Sequence, residues 1–248
     1  MSLQKRIVKG EIWAFIPARS GSKSVKDKNI FKLNNKPFIY YTFQTLKKIK
    51  EIKKIVFSTD SKKYIKTAKN FGKFETHFRK KYSSIDSATD LDVFKDFIAQ
   101  NKNIRSLPEF FLHLRPTTPL RDPKIVKKAL VFFMKNSKKF SSLRSVSHLI
   151  NPPQRSVSIK RKKLFSLFYK TFNINRLNNA RQSFEKSYLP NGYVDIIKTQ
   201  NIFKKSLHGN KVAGWVTKDF NSDIDNKFDF MVVELFIKNK KKLIKFFK

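Results

Sequence analysis

Short apolar runs suited to buried strands alternate along this chain with longer segments of helical period, a pattern that points to a mostly parallel sheet covered by helices. Ile12–Ile16 forms the first such run, ended by Pro17, and a loop rich in Ser and Lys follows to about Lys36. Pro37 suits the start of a helix whose face is traced by Phe38, Tyr41, Thr42, Thr45 and Ile49. Ile55-Val56-Phe57 is a second strand leading into Ser58-Thr59-Asp60, and a helix over about Ser61–Asn70 is stopped by Gly72. Phe110–Leu114, Ser141–Ser147, Gly192–Ile197 and Val212–Val216 supply further strands. Helices are expected over Asp122–Met134 and from about Lys227 to the end, the latter with Phe230, Val233, Phe236 and Ile237 inward.

Between His148 and about Gln182 this periodicity breaks down. Pro152-Pro153, the basic run Lys160–Lys163 and the apolar island Leu164–Tyr169 suit a protruding arm or an inserted hairpin. With 248 residues, no internal repeat and no linker, the chain is expected to form a single domain, residues 1–248, with an arm at about 148–182.

Composition limits the partners. The chain has no Cys, which removes thiolate metal sites and fits a reducing cytoplasm. Its longest early apolar run is too short for a signal-peptide core or a membrane span, so a soluble, unprocessed, cytoplasmic protein is expected, without a membrane partner. The net charge of +37 raises the question of nucleic acid, but the cations are spread from Lys5 to Lys248 and are mostly Lys. Lys, Phe, Asn and Ile, all with AT-rich codons, are abundant together, so genome composition accounts for the charge without a specific nucleic-acid partner.

In open α/β sheets ligands bind at the carboxyl ends of the strands, so the loops there carry the chemistry. The loop Pro17-Ala18-Arg19-Ser20-Gly21-Ser22-Lys23-Ser24-Val25-Lys26-Asp27-Lys28-Asn29 combines small residues, whose N–H groups can approach phosphate, with spaced cations. It lacks both a Walker A ending and a GxGxxG pattern; a solvated basic loop would look similar, but its position favours nucleotide phosphates. Arg19 and Lys28 would neutralise a triphosphate, and the Asn29 amide could read a base edge. Arg115-Pro116-Thr117-Thr118-Pro119-Leu120-Arg121 is a rigid turn with hydroxyls. Asp223-Ile224-Asp225, read as a strand, would set two carboxylates on one face for Mg²⁺; helix capping is the other reading. Arg181-Gln182, followed by Asn191-Gly192, offers an Arg fork for a carboxylate. Asp60 is expected to cap a helix, His148 to lie on the surface, and the four His show no ligand spacing.

Taken in order, these segments resemble the acylneuraminate cytidylyltransferases, the CMP-sialic acid synthetases. Ile16 through Lys23 with Lys28-Asn29-Ile30 is similar to that family's first signature loop, and Ser58-Thr59-Asp60 to the end of its next strand. Arg115 to Arg121 resembles its Pro-Thr-Ser-Pro-Leu-Arg turn, and Arg181-Gln182, Pro190-Asn191-Gly192 and Asp223-Ile224-Asp225 complete the set. The resemblance implies a Rossmann-like nucleotide-diphospho-sugar transferase fold, a CTP substrate, and a homodimer whose arm reaches the partner's site. It implies a nucleotide site at Ala18, Arg19, Ser20, Gly21, Lys23, Lys28, Asn29 and Arg115, with Arg19 and Lys28 acting on the triphosphate. Asp223 and Asp225 would hold Mg²⁺, and Arg181, Gln182, Asn191 and Gly192 would meet the acidic sugar.

Three positions depart from the family pattern. Ser24 replaces a frequent Gly, Arg115 stands where sialic-acid members often carry Gln, and Leu189 replaces an Arg before Pro-Asn-Gly. The last departure turns attention from N-acetylneuraminate to related nonulosonates, legionaminate-like or pseudaminate-like. The expected reaction joins CTP and such a sugar to give a CMP-sugar and pyrophosphate. The alternatives are a nucleotidyltransferase for another sugar acid or a sugar phosphate, such as 3-deoxy-octulosonate, and a polyanion-binding protein.

Overall fold

Strand β1 (Arg6–Pro17) buries Ile12, Ala14 and Ile16 on one face and Trp13 and Phe15 on the other, the period-2 pattern of a strand covered on both sides. After it come the two-residue strands β2 (Lys32–Leu33) and β3 (Lys36–Pro37), then α1 (Phe38–Leu46), β4 (Lys54–Thr59), α2 (Lys62–Lys69) and β5 (Glu75–Phe78). Next are α3 (Asp90–Gln100), β6 (Ser106–His113), α4 (Pro123–Asn136) and β7 (Ser142–His148). The hairpin β8 (Val157–Lys160) and β9 (Lys163–Ser166) and the one-turn α5 (Ile174–Leu177) precede β10 (Tyr188–Lys198). Then follow α6 (Thr199–Phe203), β11 (Val212–Val216) and α7 (Lys227–Phe246). This is a computed structural model, and it describes residues 6–22, 25–101, 106–217 and 223–246, with side chains described as far as 239.

Seven strands form one sheet in the order β11-β7-β10-β6-β1-β4-β5. All of them run parallel except β10, which is antiparallel to both of its neighbours. The expected mostly parallel α/β sheet is therefore present. Helices α1 and α4 cover one face, where Phe43, Leu130 and Phe133 pack on Ile16, Leu112 and Ile196. Helices α3 and α6 cover the other, where Phe94, Phe97 and Ile202 meet Phe15, Phe111 and Ile197. Aromatic rings dominate this second layer, with Phe15 and Phe94 ring centroids 4.2 Å apart and Phe94 and Phe111 5.1 Å apart, both pairs tilted.

The arm leaves the sheet after β7 and returns at β10, where Tyr188 pairs opposite His148. Its core is the β8–β9 hairpin, closed by Arg161 and Lys162 at φ 47° and 63°, the left-handed pair that a two-residue hairpin turn needs. Arg176 lies 3.8 Å over the Tyr169 ring. Ile150, Ile159, Leu167 and Phe168 on the arm are all exposed.

Three expectations need correction. Ser61, not Asp60, caps α2: its hydroxyl accepts the Tyr64 N–H. Gly72 does not stop that helix through a left-handed turn: the helix ends at Lys69 with Asn70 as its C-cap, and Gly72 lies beyond it, facing the Phe43 ring. Asp223-Ile224-Asp225 is not a strand. It is an irregular segment anchored by the Ile224 N–H on the Thr117 carbonyl at 2.9 Å and by the burial of Ile224 beside Leu33, Phe38 and Val233. Among the described residues no helix is long and apolar enough to cross a membrane.

Candidate active site

The carboxyl ends of β1, β5 and β6 open on a cleft of about 220 Å³. Arg19, Lys28, Arg79 and Arg115 line it together with Asn29 and Asp90. Four cations therefore converge from three separate loops, those after β1, β5 and β6, on one small cavity. Of the expected nucleotide residues, Arg19, Lys28, Asn29 and Arg115 meet there; Lys23 and Ser24 lie outside the described residues.

Local bonds fix the first loop. Asp60 accepts the Ser20 N–H at 2.8 Å, the Ala18 N–H bonds to the Ser58 carbonyl at 2.8 Å, and Arg19 pairs with Asp86. The Asn29 Nδ2 donates to the Arg19 carbonyl at 2.9 Å, so this amide holds the loop closed upon itself. Ala18 is fully buried, while Ser20 is half-buried and Gly21 exposed.

Lys28 is only 7% exposed, and its Nζ lies 2.9 Å from Asp225 Oδ1. The neighbouring Asp223 carboxylate packs on the β10 turn: a Cβ on Gly192 would come within 3.4 Å of its Oδ2 and 3.2 Å of Thr118 Oγ1. Gly192 has φ +64°, so both conformation and space require glycine. Asn191 donates to Thr217 Oγ1 at 2.7 Å and accepts the Tyr193 N–H. Asp225 does not cap α7; Asn226 and Asp229 bond reciprocally there. The two acids are thus brought beside the cation cleft and the Asn-Gly turn, by a route other than strand alternation.

Asp223 Oδ1 is buried without a hydrogen-bond partner among the described residues, and no group of three or more His, Cys, Asp or Glu there could hold a metal. An all-protein cage is therefore absent among those residues. Two carboxylates beside a phosphate-suited cleft do fit Mg²⁺, which usually takes one or two carboxylates together with substrate phosphates and water.

The turn from Arg115 to Arg121 is fixed from below. The buried Arg121 guanidinium donates to the carbonyls of Tyr193 at 2.6 Å, Arg115 at 2.7 Å, Gly192 at 2.9 Å and Thr118. Arg115 spans Asp90 of α3 and Asp195 of β10, the latter at 3.0 Å. Burial opposes ionisation of Asp90, but the adjoining His113 and then the Arg115 and Arg79 guanidinium groups hold its carboxyl down at about 2. His113 lies beneath, 3.8 Å from Asp90 and 4.0 Å from Asp195, with neither ring nitrogen hydrogen-bonded among the described residues.

Burial pushes both His77 and His113 down from 6.5 to about 4. In the unfolded chain both take up protons below about 6.5, so between 6.5 and 4 the unfolded state binds more protons. Stability is then whole above about pH 6.5 and falls as the pH drops toward 4, with a slope approaching about 2 kcal/mol per pH unit. The urea midpoint is expected to be clearly lower at about pH 5 than at about pH 7.5; equal midpoints contradict buried neutral rings.

Arg181 and Gln182 stand apart from the cleft, exposed on a 3-10 turn of the arm. Sequence reasoning missed Arg79, Asp90 and His113, and reached Asp195 only as the end of the segment Asn191-Gly192-Tyr193-Val194-Asp195, without a role. The Thr89–Asp92 capping box was the available signal for α3 and hence for Asp90; the others carry no local signal. A larger cleft of about 490 Å³ lies between the ends of β7, β10 and β11, lined by His148, Lys186, Tyr188 and Thr217 without comparable convergence of charge. His148 is exposed as expected.

Cations gathered at the carboxyl edge of a largely parallel sheet, with two acids beside them, define a nucleotide-binding α/β enzyme of the nucleotidyltransferase class. A family model described as cytidylyltransferase matches residues 13–233, and the chain belongs to that family. It is 30% identical over 230 residues to the CMP-N,N'-diacetyllegionaminic acid synthase of Campylobacter jejuni, covering 92% of this chain and 95% of that one. It is 29% identical over 233 residues to post-translational flagellin modification protein B of Campylobacter coli, covering 93% and 96%. The Escherichia coli N-acylneuraminate cytidylyltransferase is 28% identical over 225 residues, 89% of this chain but 50% of the longer enzyme. Among solved structures, a CMP:2-keto-3-deoxy-manno-octonic acid synthetase complexed with CTP superposes with TM-score 0.67 at 13% identity, covering 93% of this chain and 99% of that one, which shows a common fold.

Proposed function

We propose that this chain transfers the cytidylyl group of CTP to the anomeric hydroxyl of an acidic nonulosonic sugar. The observation that carries this reading is that Asp225 pairs with Lys28 in a cleft walled by three Arg side chains, while Asp223, two residues before it, packs against Gly192. The sugar hydroxyl oxygen forms a bond to the α-phosphorus, the bond from that phosphorus to the bridging oxygen breaks, and pyrophosphate leaves. The hydroxyl proton passes to solvent. Such catalysis rests on positioning and charge neutralisation.

Arg19 and Lys28 hold the triphosphate and take charge on the departing pyrophosphate, with the backbone of Ala18, Ser20 and Gly21 around it. Asp223 and Asp225 would hold Mg²⁺. That ion supplies polarisation of the phosphoryl oxygens and orientation of the acceptor. The sugar lies toward Asn191 and Gly192. Two copies pair through their arms, whose exposed Ile159, Leu167 and Phe168 are the kind of apolar patch a partner covers, and Arg181 and Gln182 reach the acidic sugar across that pairing. Leu189, exposed immediately before Pro190-Asn191-Gly192, leaves no cation there for a sialate carboxylate, and favours a legionaminate-like sugar.

Arg19→Ala should raise KM for CTP about tenfold through loss of one charge-assisted phosphate contact. Unchanged kinetics would remove Arg19 from the site. Calorimetric titration of the four common nucleoside triphosphates tests the nucleotide itself: CTP should bind at least about tenfold more tightly than UTP, ATP or GTP, and equal affinities would sink the cytidylyl assignment.

A further inference from the structure

We propose that Ser58, His77 and Asp96 form a buried hydrogen-bonded relay that positions Arg79 in the nucleotide cleft; this rests on the reading of that cleft as the CTP site. Arg79 follows β5, is 7% exposed, and lines the cleft. Its Nε donates to Ser58 Oγ at 2.8 Å, while Nη1 and Nη2 make only long contacts of 3.4 Å to the Ser83 and Ser58 carbonyls. These contacts use three of the five N–H donors of a guanidinium. Burial lowers Arg79 only to about 10, so it stays charged at neutral pH.

The aim of this fork depends on the one short contact, and therefore on which way the Ser58 hydroxyl turns. Ser58 and His77 are register partners in the β4–β5 ladder, fully buried, with Oγ and Nδ1 3.0 Å apart. Ser58 Oγ accepts from Arg79 Nε, and when His77 carries its own proton on Nε2 the Ser58 hydroxyl proton is directed to Nδ1. At Nε2 the Asp96 carboxylate of α3 is the acceptor, its Oδ2 3.3 Å away, and the Gln100 amide nitrogen lies 3.2 Å from the same atom. Asp96 is completely buried and held by the Lys80 N–H at 2.9 Å and the Tyr82 hydroxyl at 3.0 Å, with Ser83 and Gln100 donating as well. A neutral ring, which burial favours, is what the relay requires.

A His satisfied merely for core packing and a His that aims Arg79 differ in what their variants do to CTP. His77→Leu keeps an apolar filling but removes the acceptor. His77→Asn places an amide oxygen where Nδ1 stood and can still accept from Ser58. CTP binding by calorimetry, steady-state kinetics and thermal melting are measured for both variants and the unaltered chain. Expected are a roughly tenfold rise in CTP Kd and KM for His77→Leu with kcat within about twofold, and recovery to within about threefold in His77→Asn. Should His77→Leu fail to fold, Ser58→Ala, which removes a single oxygen, is expected to show the same tenfold rise. A folded His77→Leu or Ser58→Ala with unaltered CTP affinity overturns the relay, as does a His77→Asn as impaired as His77→Leu. An unaltered chain that binds no CTP overturns the cleft assignment first, and the relay with it.

Discussion

Asp225→Asn is expected to lower turnover at least about 100-fold while leaving the melting temperature within about 2 °C of the unaltered chain. The reason lies in where the carboxylate is. Its side chain is 74% exposed, and although its partner Lys28 is buried, the Asn amide oxygen can still accept from that Nζ, so the fold loses little. Its backbone N–H still donates to Asp229 after the change, so the start of α7 is undisturbed. What is lost is a negative oxygen beside the triphosphate cleft, where charge held in place for the transition state contributes several kcal/mol and each ~1.4 kcal/mol is tenfold in rate. Steady-state kinetics with saturating CTP, alongside a thermal melt, checks this. Turnover like that of the unaltered chain removes Asp225 from the metal site.

Arg121→Met carries the largest expected effect on stability, a loss of about 3–5 kcal/mol. Met fills much the same volume, so the loss is electrostatic and not a matter of packing. The guanidinium is buried, burial pulls it down to about 9, and it satisfies carbonyls of Arg115, Thr118, Gly192 and Tyr193. Removing it strands four acceptors at the seam between the turn after β6 and the start of β10. In a chain of this length that corresponds to a fall of roughly 10 °C in melting temperature. The seam also places Gly192 against Asp223, so activity should fall before the chain unfolds. A melting temperature within about 2 °C of the unaltered chain would mean that water replaces those bonds, and that the turn is not held from below.

What the sequence revealed follows from the range of each signal. β1, β4 and β6 are runs of apolar residues buried on both faces, and α7 repeats with helical period, so each is written in neighbouring residues. The cation loop was legible for the same reason: its cations and small residues are contiguous. β5 is a four-residue edge strand, too short for alternation to register. Arg115 and Asp195 are 80 positions apart, so their meeting depends on β10 running antiparallel against β6. Ser58 and His77 meet only because β5 pairs with β4 in that register. The two Asp residues of 223–225 come to the right place through a backbone bond to Thr117 and the burial of Ile224, where period-2 reasoning had assumed a strand. Asp60, read as a cap, instead holds the Ser20 N–H, a contact across 40 positions.

The most direct test of the central claim is pyrophosphate release by the purified chain with CTP and Mg²⁺, against a panel of free nonulosonic and octulosonic acids. The account predicts release with a legionaminate-like nonulosonic acid, weaker release with N-acetylneuraminate, and a CMP-sugar of matching mass. Release with 3-deoxy-octulosonate alone, or none with any acid, contradicts it.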